Sequence, residues 1–193
     1  MEPDLAGRRV AFLVANKGVE HDELVSPWNA ISEHHGVPEL LAPRPGIVQT
    51  VRHLDRVDVF SVSAPIDSVL PSDYDAVVLP GGVVNADELR LHSEAVEFVR
   101  QVFLNGKPAA VICHGPWTIV EGKLVAGRTL TSWPSLRTDI TNAGGEWVDE
   151  EVHVCEGGPN TLVSSRKPDD LPAFNAALLR AFSMSAPPAR QTV

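Results

Sequence analysis

The residues best suited to chemistry are Cys113 and His114, which end the apolar run Ala109-Ala110-Val111-Ile112 and are followed by Gly115 and Pro116. Small and β-branched apolar residues in a row read as a buried parallel strand, and Pro116 fits the first turn of a helix, where a missing N–H costs nothing. Cys113 then sits on the bend between them, where helix N-terminal N–H groups favour a thiolate, the nucleophilic form of the side chain. The nucleophile elbow of hydrolases follows the same logic. The match is partial, since Gly115 stands two residues after Cys113 but Val111 stands two before it. The competing reading is a buried core cysteine. A second candidate is Gly81-Gly82, placed directly after the apolar stretch Asp75 to Leu79 and Pro80. Paired glycines there either let the backbone approach a ligand with its N–H groups turned inward or form a plain turn. Glu20, a carboxyl just after the first apolar run, is the third.

Positioning these groups requires strands that end at one edge. Arg9 to Ala15 is a continuous apolar run, as expected of a central parallel strand, followed by a polar loop over Asn16 to Asp22. Leu24, Val25, Trp28 and Ile31 predict a helix over Glu23 to His35, stopped by Gly36; Pro27 either marks its first turn after a Ser26 cap or kinks it. Strands are predicted over Val37 to Ala42, Val57 to Val62 and Asp75 to Leu79, with Ile47 to Ser72 the least legible stretch. Ser93 caps a helix running to Asn105, Arg128 to Thr131 reads as a strand, and Ser135 to Ala143 as a helix. Val152 to Cys155 and Thr161 to Ser164 flank a glycine-rich turn as a hairpin, Asp169 to Phe182 is a last helix, and Met184 to Val193 is a frayed tail. Strands alternating with helices predict one α/β domain over residues 1–183, a three-layer sandwich with a mostly parallel central sheet flanked by helices. In such sheets ligands collect at the carboxyl ends of the strands, where Glu20, Gly82 and Cys113 all lie.

Composition narrows the function. A chain of 193 residues with 44% hydrophobic and 21% charged residues suits one soluble globular domain, and sixteen basic against twenty-five acidic residues disfavour binding to a phosphate backbone. No stretch has the length of a membrane span and the start lacks a signal-like core, so a cytoplasmic address is expected, with Cys113 and Cys155 as free thiols.

Leu79-Pro-Gly-Gly82, Gly106-Lys-Pro108, Ile112-Cys-His-Gly-Pro116, Leu130-Thr-Ser-Trp-Pro-Ser135, Asn142-Ala-Gly144, Glu146-Trp-Val-Asp-Glu-Glu151 and Ser164-Ser-Arg-Lys-Pro-Asp-Asp-Leu-Pro-Ala-Phe174 occur in an order that resembles the PfpI-type intracellular protease family. That family belongs to the parkinsonism-associated deglycase superfamily and shares the flavodoxin-like fold of class I glutamine amidotransferases. The resemblance spans Val10 to Phe182. It implies that Cys113 is the nucleophile in a strained backbone conformation, that His114 is its base or orienting partner, and that Glu20 is the acidic residue near the sulfur, protonated when the thiol is ionised. Asp87 resembles the acidic residue that some members present to the histidine from a neighbouring subunit, although Ala86 replaces the usual proline. Oxyanion donors would be the backbone N–H groups of His114 and of Gly82 or Val83. Cys155, near a hairpin tip with no basic neighbour in view, is expected to be inert or merely oxidisable.

The function this implies is addition of Cys113 to an electrophilic carbonyl of a small molecule or peptide, in a homodimer or ring of dimers, with no cofactor and no metal. A redox sensor or holdase using oxidation of Cys113 is the alternative. An amidotransferase would need a downstream histidine with Glu two residues on, and His153 has Cys155 there.

Overall fold

A computed structural model of the chain describes residues 3–184. The first part contains β1 (Arg9–Leu13), β2 (Lys17–Glu20), α1 (His21–Glu33), β3 (Val37–Ala42), β4 (Ile47–Arg52), β5 (Asp55–Ser61) and β6 (Ala64–Pro65). The middle contains β7 (Ala76–Leu79), α2 (Val83–Leu89), α3 (Ser93–Leu104), β8 (Ala109–Ile112) and α4 (Pro116–Glu121). The last part contains β9 (Thr129–Leu130), α5 (Arg137–Asn142), β10 (Glu146–Trp147), β11 (Val152–Cys155), β12 (Leu162–Ser165) and α6 (Leu171–Met184).

Seven strands form the main sheet in the order β11-β12-β8-β7-β1-β3-β6, all neighbours parallel except the β11–β12 hairpin. The two-residue period of a strand divides its apolar residues between two cores. Ala11, Leu13, Val77, Leu79, Ala109 and Val111 face Phe98, Val99, Val102 and Phe103 of α3, Ile119 of α4 and Ile140 of α5. Val10, Phe12, Ala76, Val78, Ala110 and Ile112 face Leu24 and Ile31 of α1 and Phe174, Leu178 and Phe182 of α6. These two faces are why β1, β7 and β8 read as unbroken apolar runs, and they make the fold a three-layer α/β sandwich.

Several local expectations change. The supposed loop over Asn16 to Asp22 contains β2 and the start of α1, which begins at His21 with Pro27 inside it rather than at its first turn. β2 pairs with β4, and β4 with β5, in a small separate sheet beside α1. Neither β4 nor α2 is predicted by the sequence reading. The predicted helix over Ser135 to Ala143 is a 3-10 turn over Pro134–Leu136 running into α5. Met184 closes α6, and the rest of the expected tail lies outside the described residues.

Candidate active site

β8 ends at Ile112 and α4 begins at Pro116, so Cys113 occupies the intervening bend with φ of 60°. A non-glycine residue in this left-handed region carries strain of about 1–2 kcal/mol, which persists only when the surroundings fix it. They do: the Cys113 N–H donates to the Ser165 carbonyl at 3.1 Å, and its carbonyl accepts from the Trp133 N–H at 3.0 Å. Gly115 completes the bend because a Cβ there would collide with the carbonyl oxygens of Leu79 and Ile112. The result is the elbow expected from the sequence, with Cys113 only 7% exposed.

The carboxyl against the sulfur is Glu23, not Glu20. Starting α1 at His21 puts Glu23 in the first turn, on the same stripe as Pro27 and Ile31, all three buried. Glu23 Oε2 accepts the Gly81 N–H at 2.8 Å. Any side chain at Gly81 would strike both the Glu23 carboxyl and Cys113, so glycine is what allows carboxyl and sulfur to meet. Burial, reinforced by the charge of nearby Glu20, pushes Glu23 up to about 8 against the pull of the Gly81 N–H, so Glu23 is a neutral proton donor at pH 7. Glu20 ends β2 and lines the same pocket, but its Oε2 accepts the His53 N–H at 3.2 Å. The extra strand between β1 and α1 shifts the carboxyl that reaches the sulfur by three positions along the chain.

Gly82 has φ of 91°, and a Cβ there would meet the Glu20 N–H and the Gly18 carbonyl, so the Gly-Gly loop threads between β2 and the elbow. Asn85 on α2 anchors it: Oδ1 accepts the Ala15 N–H at 2.7 Å, and Nδ2 donates to the Pro80 and Gly81 carbonyls, each at 3.0 Å. The sequence carries no signal for this residue, because a Gly-Gly pair after a strand reads as a loop with no helix immediately behind it.

Burial pushes the Cys113 thiol up, and a charged Glu23 would push it further; the N–H groups of Gly82 and His114 pull it back. The expected thiolate-favouring helix is only six residues long and does not offset this burial. His114 Nδ1 lies 3.2 Å from Cys113 Sγ, and burial drops His114 to about 4, leaving a neutral imidazole beside the sulfur at pH 7. Its ring is stacked on Trp133 at 6.0 Å and meets Trp117 edge-on at 5.2 Å.

Asp87 does not reach His114 within the chain. It lies on α2 with its side chain 58% exposed and Oδ1 accepting from Arg90 Nη2 at 2.9 Å. Arg90 in turn lies 4.7 Å over the Trp117 ring, so one arginine and one tryptophan separate Asp87 from the histidine. Val83, expected among the oxyanion residues, lines the cavity with Gly82.

Glu20, Glu23, His53, Leu54, Gly82, Val83, Val84, Cys113, His114, Trp133 and Pro168 surround a cavity of about 280 Å³. Leu54, at the tip between β4 and β5, is 93% exposed and stands at the rim. Among the described residues no group of three or more His, Cys, Asp or Glu side chains could hold a metal ion, and no helix is long and apolar enough to cross a membrane. The surroundings expected for Cys155 are corrected: it is buried, and its basic neighbour is Arg128, distant in sequence and brought in just before β9.

A strained cysteine between β8 and α4, a buried carboxyl and a neighbouring histidine at the carboxyl edge of a parallel sheet define an α/β protein built around a strand-to-helix cysteine elbow. The chain belongs to the DJ-1/PfpI family, which it matches over residues 8–181. It is 37% identical over 169 residues to general stress protein 18 of Bacillus subtilis, covering 88% of this chain and 94% of that protein. It is 39% identical over 166 residues to deglycase PfpI of Pyrococcus furiosus, covering 86% and 94%. Among solved structures, a two-domain protein of Anabaena variabilis with DJ-1/ThiJ/PfpI-like and ferritin-like domains superposes with a TM-score of 0.81 at 29% identity, covering 96% of this chain and 52% of that one. Schizosaccharomyces pombe DJ-1 has the same fold, with a TM-score of 0.78 at 20% identity over 92% of each chain.

Proposed function

We propose that the protein is a cysteine-dependent enzyme acting on small electrophilic carbonyl compounds of the methylglyoxal type. The observation carrying this reading is the placement of Cys113 Sγ between the neutral His114 Nδ1, at 3.2 Å, and the protonated Glu23 carboxyl. As the sulfur bonds to the aldehyde carbon, its proton passes to His114 and the carbonyl electron pair moves to oxygen, where the Gly82 and His114 N–H groups hold it. Glu23 protonates that oxygen to give a hemithioacetal. The Glu23 carboxylate then takes the proton of the hemithioacetal carbon and returns it to the ketone carbon while the hydroxyl hydrogen moves to the ketone oxygen, giving a thioester. Water attacks its carbonyl, His114 returns its proton to the departing sulfur, and Glu23 regains its own from the lactic acid, which leaves as lactate. A cavity of about 280 Å³ rimmed by Leu54 and Trp133 has room for a two- or three-carbon substrate beside the sulfur. The names of two relatives as deglycases, one of them the protein/nucleic acid deglycase 2 of Escherichia coli at 35% identity over 173 residues, agree with glyoxal-derived chemistry.

The test is methylglyoxal consumption with lactate as the measured product. Turnover is expected to hold across a plateau bounded by the titration of His114 near pH 4 and of Glu23 near pH 8, falling below the first as the base is protonated and above the second as the acid is lost. Absence of lactate above the buffer rate, with suppression of protein aggregation instead, would replace the enzyme reading with a holdase.

The same reading includes a homodimer in which Asp87 of a second copy orients His114, whose other ring nitrogen needs an acceptor to fix its tautomer. Val83, Val84 and Leu91, each at least half exposed beside Asp87, give such a contact an apolar centre. Asp87→Ala and Cys113→Ala, each inactive alone, are expected to regain activity when mixed and allowed to exchange subunits. No recovery with exchange verified, or a monomer in sedimentation at micromolar concentration, would remove the shared site.

A further inference from the structure

Arg128 is 2% exposed, and its guanidinium is held by neutral oxygens. Nη1 donates to Asn160 Oδ1 at 2.6 Å, and Nη2 donates to the Asn160 carbonyl at 2.7 Å and to the Cys155 carbonyl at 3.1 Å. The Phe103 ring lies 5.6 Å beneath it. Nε is buried with no hydrogen-bond partner. The turn after Cys155 wraps over the cation: a Cβ at Gly158 would strike the guanidinium, so glycine lets the chain lie directly on it. A buried cation is ordinarily matched by an anion, and the ionisable group placed against this one is the Cys155 thiol, which also faces the N–H groups of Gly157 and Thr129. Burial raises this thiol, but these donors together outweigh it and hold Cys155 below the ordinary thiol range. Glu156, the next charged residue, is exposed.

We propose that Cys155, set in the Arg128 socket, is a second reactive thiol and a site of reversible oxidation by hydrogen peroxide that is separate from Cys113. The thiolate attacks one peroxide oxygen; the S–O bond forms as the O–O bond breaks, sulfur is oxidised to the sulfenate, and the departing hydroxide takes a proton to become water. The added oxygen is an acceptor for the Arg128 Nε–H, which otherwise lacks one. One equivalent of a small thiol then gives a mixed disulfide and water, and a second restores Cys155 and releases the small-molecule disulfide. The site lies at the β11–β12 turn, away from the Cys113 pocket, so the two oxidations need not compete for the same space.

The test uses the full chain carrying Cys113→Ala, so that Cys155 is the sole thiol, and follows iodoacetamide labelling against pH. The midpoint of that profile reports ionisation, whereas restricted access changes only the plateau. The expected midpoint is at least one pH unit below that of a free Val-Cys-Glu-Gly-Gly peptide under the same conditions, and dimedone after peroxide should tag Cys155 in wild type. Arg128→Met is expected to move the midpoint up to or beyond that of the peptide. A midpoint in the chain at or above the peptide's overturns the proposal, and so does an unshifted midpoint in folded Arg128→Met. If Arg128→Met does not fold, the comparison of chain with peptide decides alone.

Discussion

Cys113→Ala is expected to reduce methylglyoxal turnover by at least about a thousandfold, because the variant has no atom that can form the covalent adduct. The fold should survive, since the elbow is set by backbone hydrogen bonds to Ser165 and Trp133 rather than by the sulfur. Alanine keeps the strained φ of 60° and glycine does not, so Cys113→Gly is expected to unfold at higher denaturant than Cys113→Ala, by about 1 kcal/mol. Comparing both variants in turnover and in urea separates the two roles of this position. Residual turnover in both variants would show that the thiol is not the nucleophile, and equal stability would show that the bend is unstrained.

Glu23→Gln carries the second large effect, and its two readouts move in opposite directions. Turnover should fall by about a hundredfold, because an amide accepts the Gly81 N–H but cannot hand over a carboxyl proton. Stability should rise. The folded chain holds Glu23 protonated up to about pH 8, whereas the unfolded chain releases that proton near 4.5. The favourable contribution of the native state is therefore complete below about pH 4.5 and is lost as pH rises towards 8. Removing the titration should gain roughly 3 kcal/mol at pH 7 and almost nothing at pH 4, as read from urea unfolding at both. Glu20→Gln should do neither. It should instead lower the alkaline limit of activity, because the Glu20 charge is one of the influences that raise Glu23. Should Glu20→Gln abolish turnover while Glu23→Gln leaves it intact, the roles assigned to the two carboxyls would be reversed.

The mistaken carboxyl shows what the sequence could convey. The elbow was legible because Ala109 to Ile112 is uniformly apolar and Gly115-Pro116 punctuates it, and the three-layer architecture followed from strands and helices in alternation. The placement of Glu23 depends on where α1 begins, and β2 is four residues long with a glycine at its second position, too short to show a period. One signal was available: Glu23, Pro27 and Ile31 recur at helical spacing, so an acid stood on a stripe that is otherwise apolar. The environment of Cys155 had no such signal. Arg128 approaches it through the fold rather than along the chain, and an arginine before a two-residue strand looks like a surface residue.

The pocket draws on β2, α1, the β4–β5 tip, the loop before α2, the β8 elbow, Trp133 and Pro168, so its lining is gathered from most of the chain's length. Contacts between such distant segments form only after the loops between them have closed. During synthesis Cys113 and the adjacent His114 therefore emerge before Trp133 and Pro168, which line the same cavity, have been made. The growing chain passes through an interval in which this sulfur lacks its native cover, and the duration of that interval is set by how quickly the C-terminal part of the sheet docks onto β8.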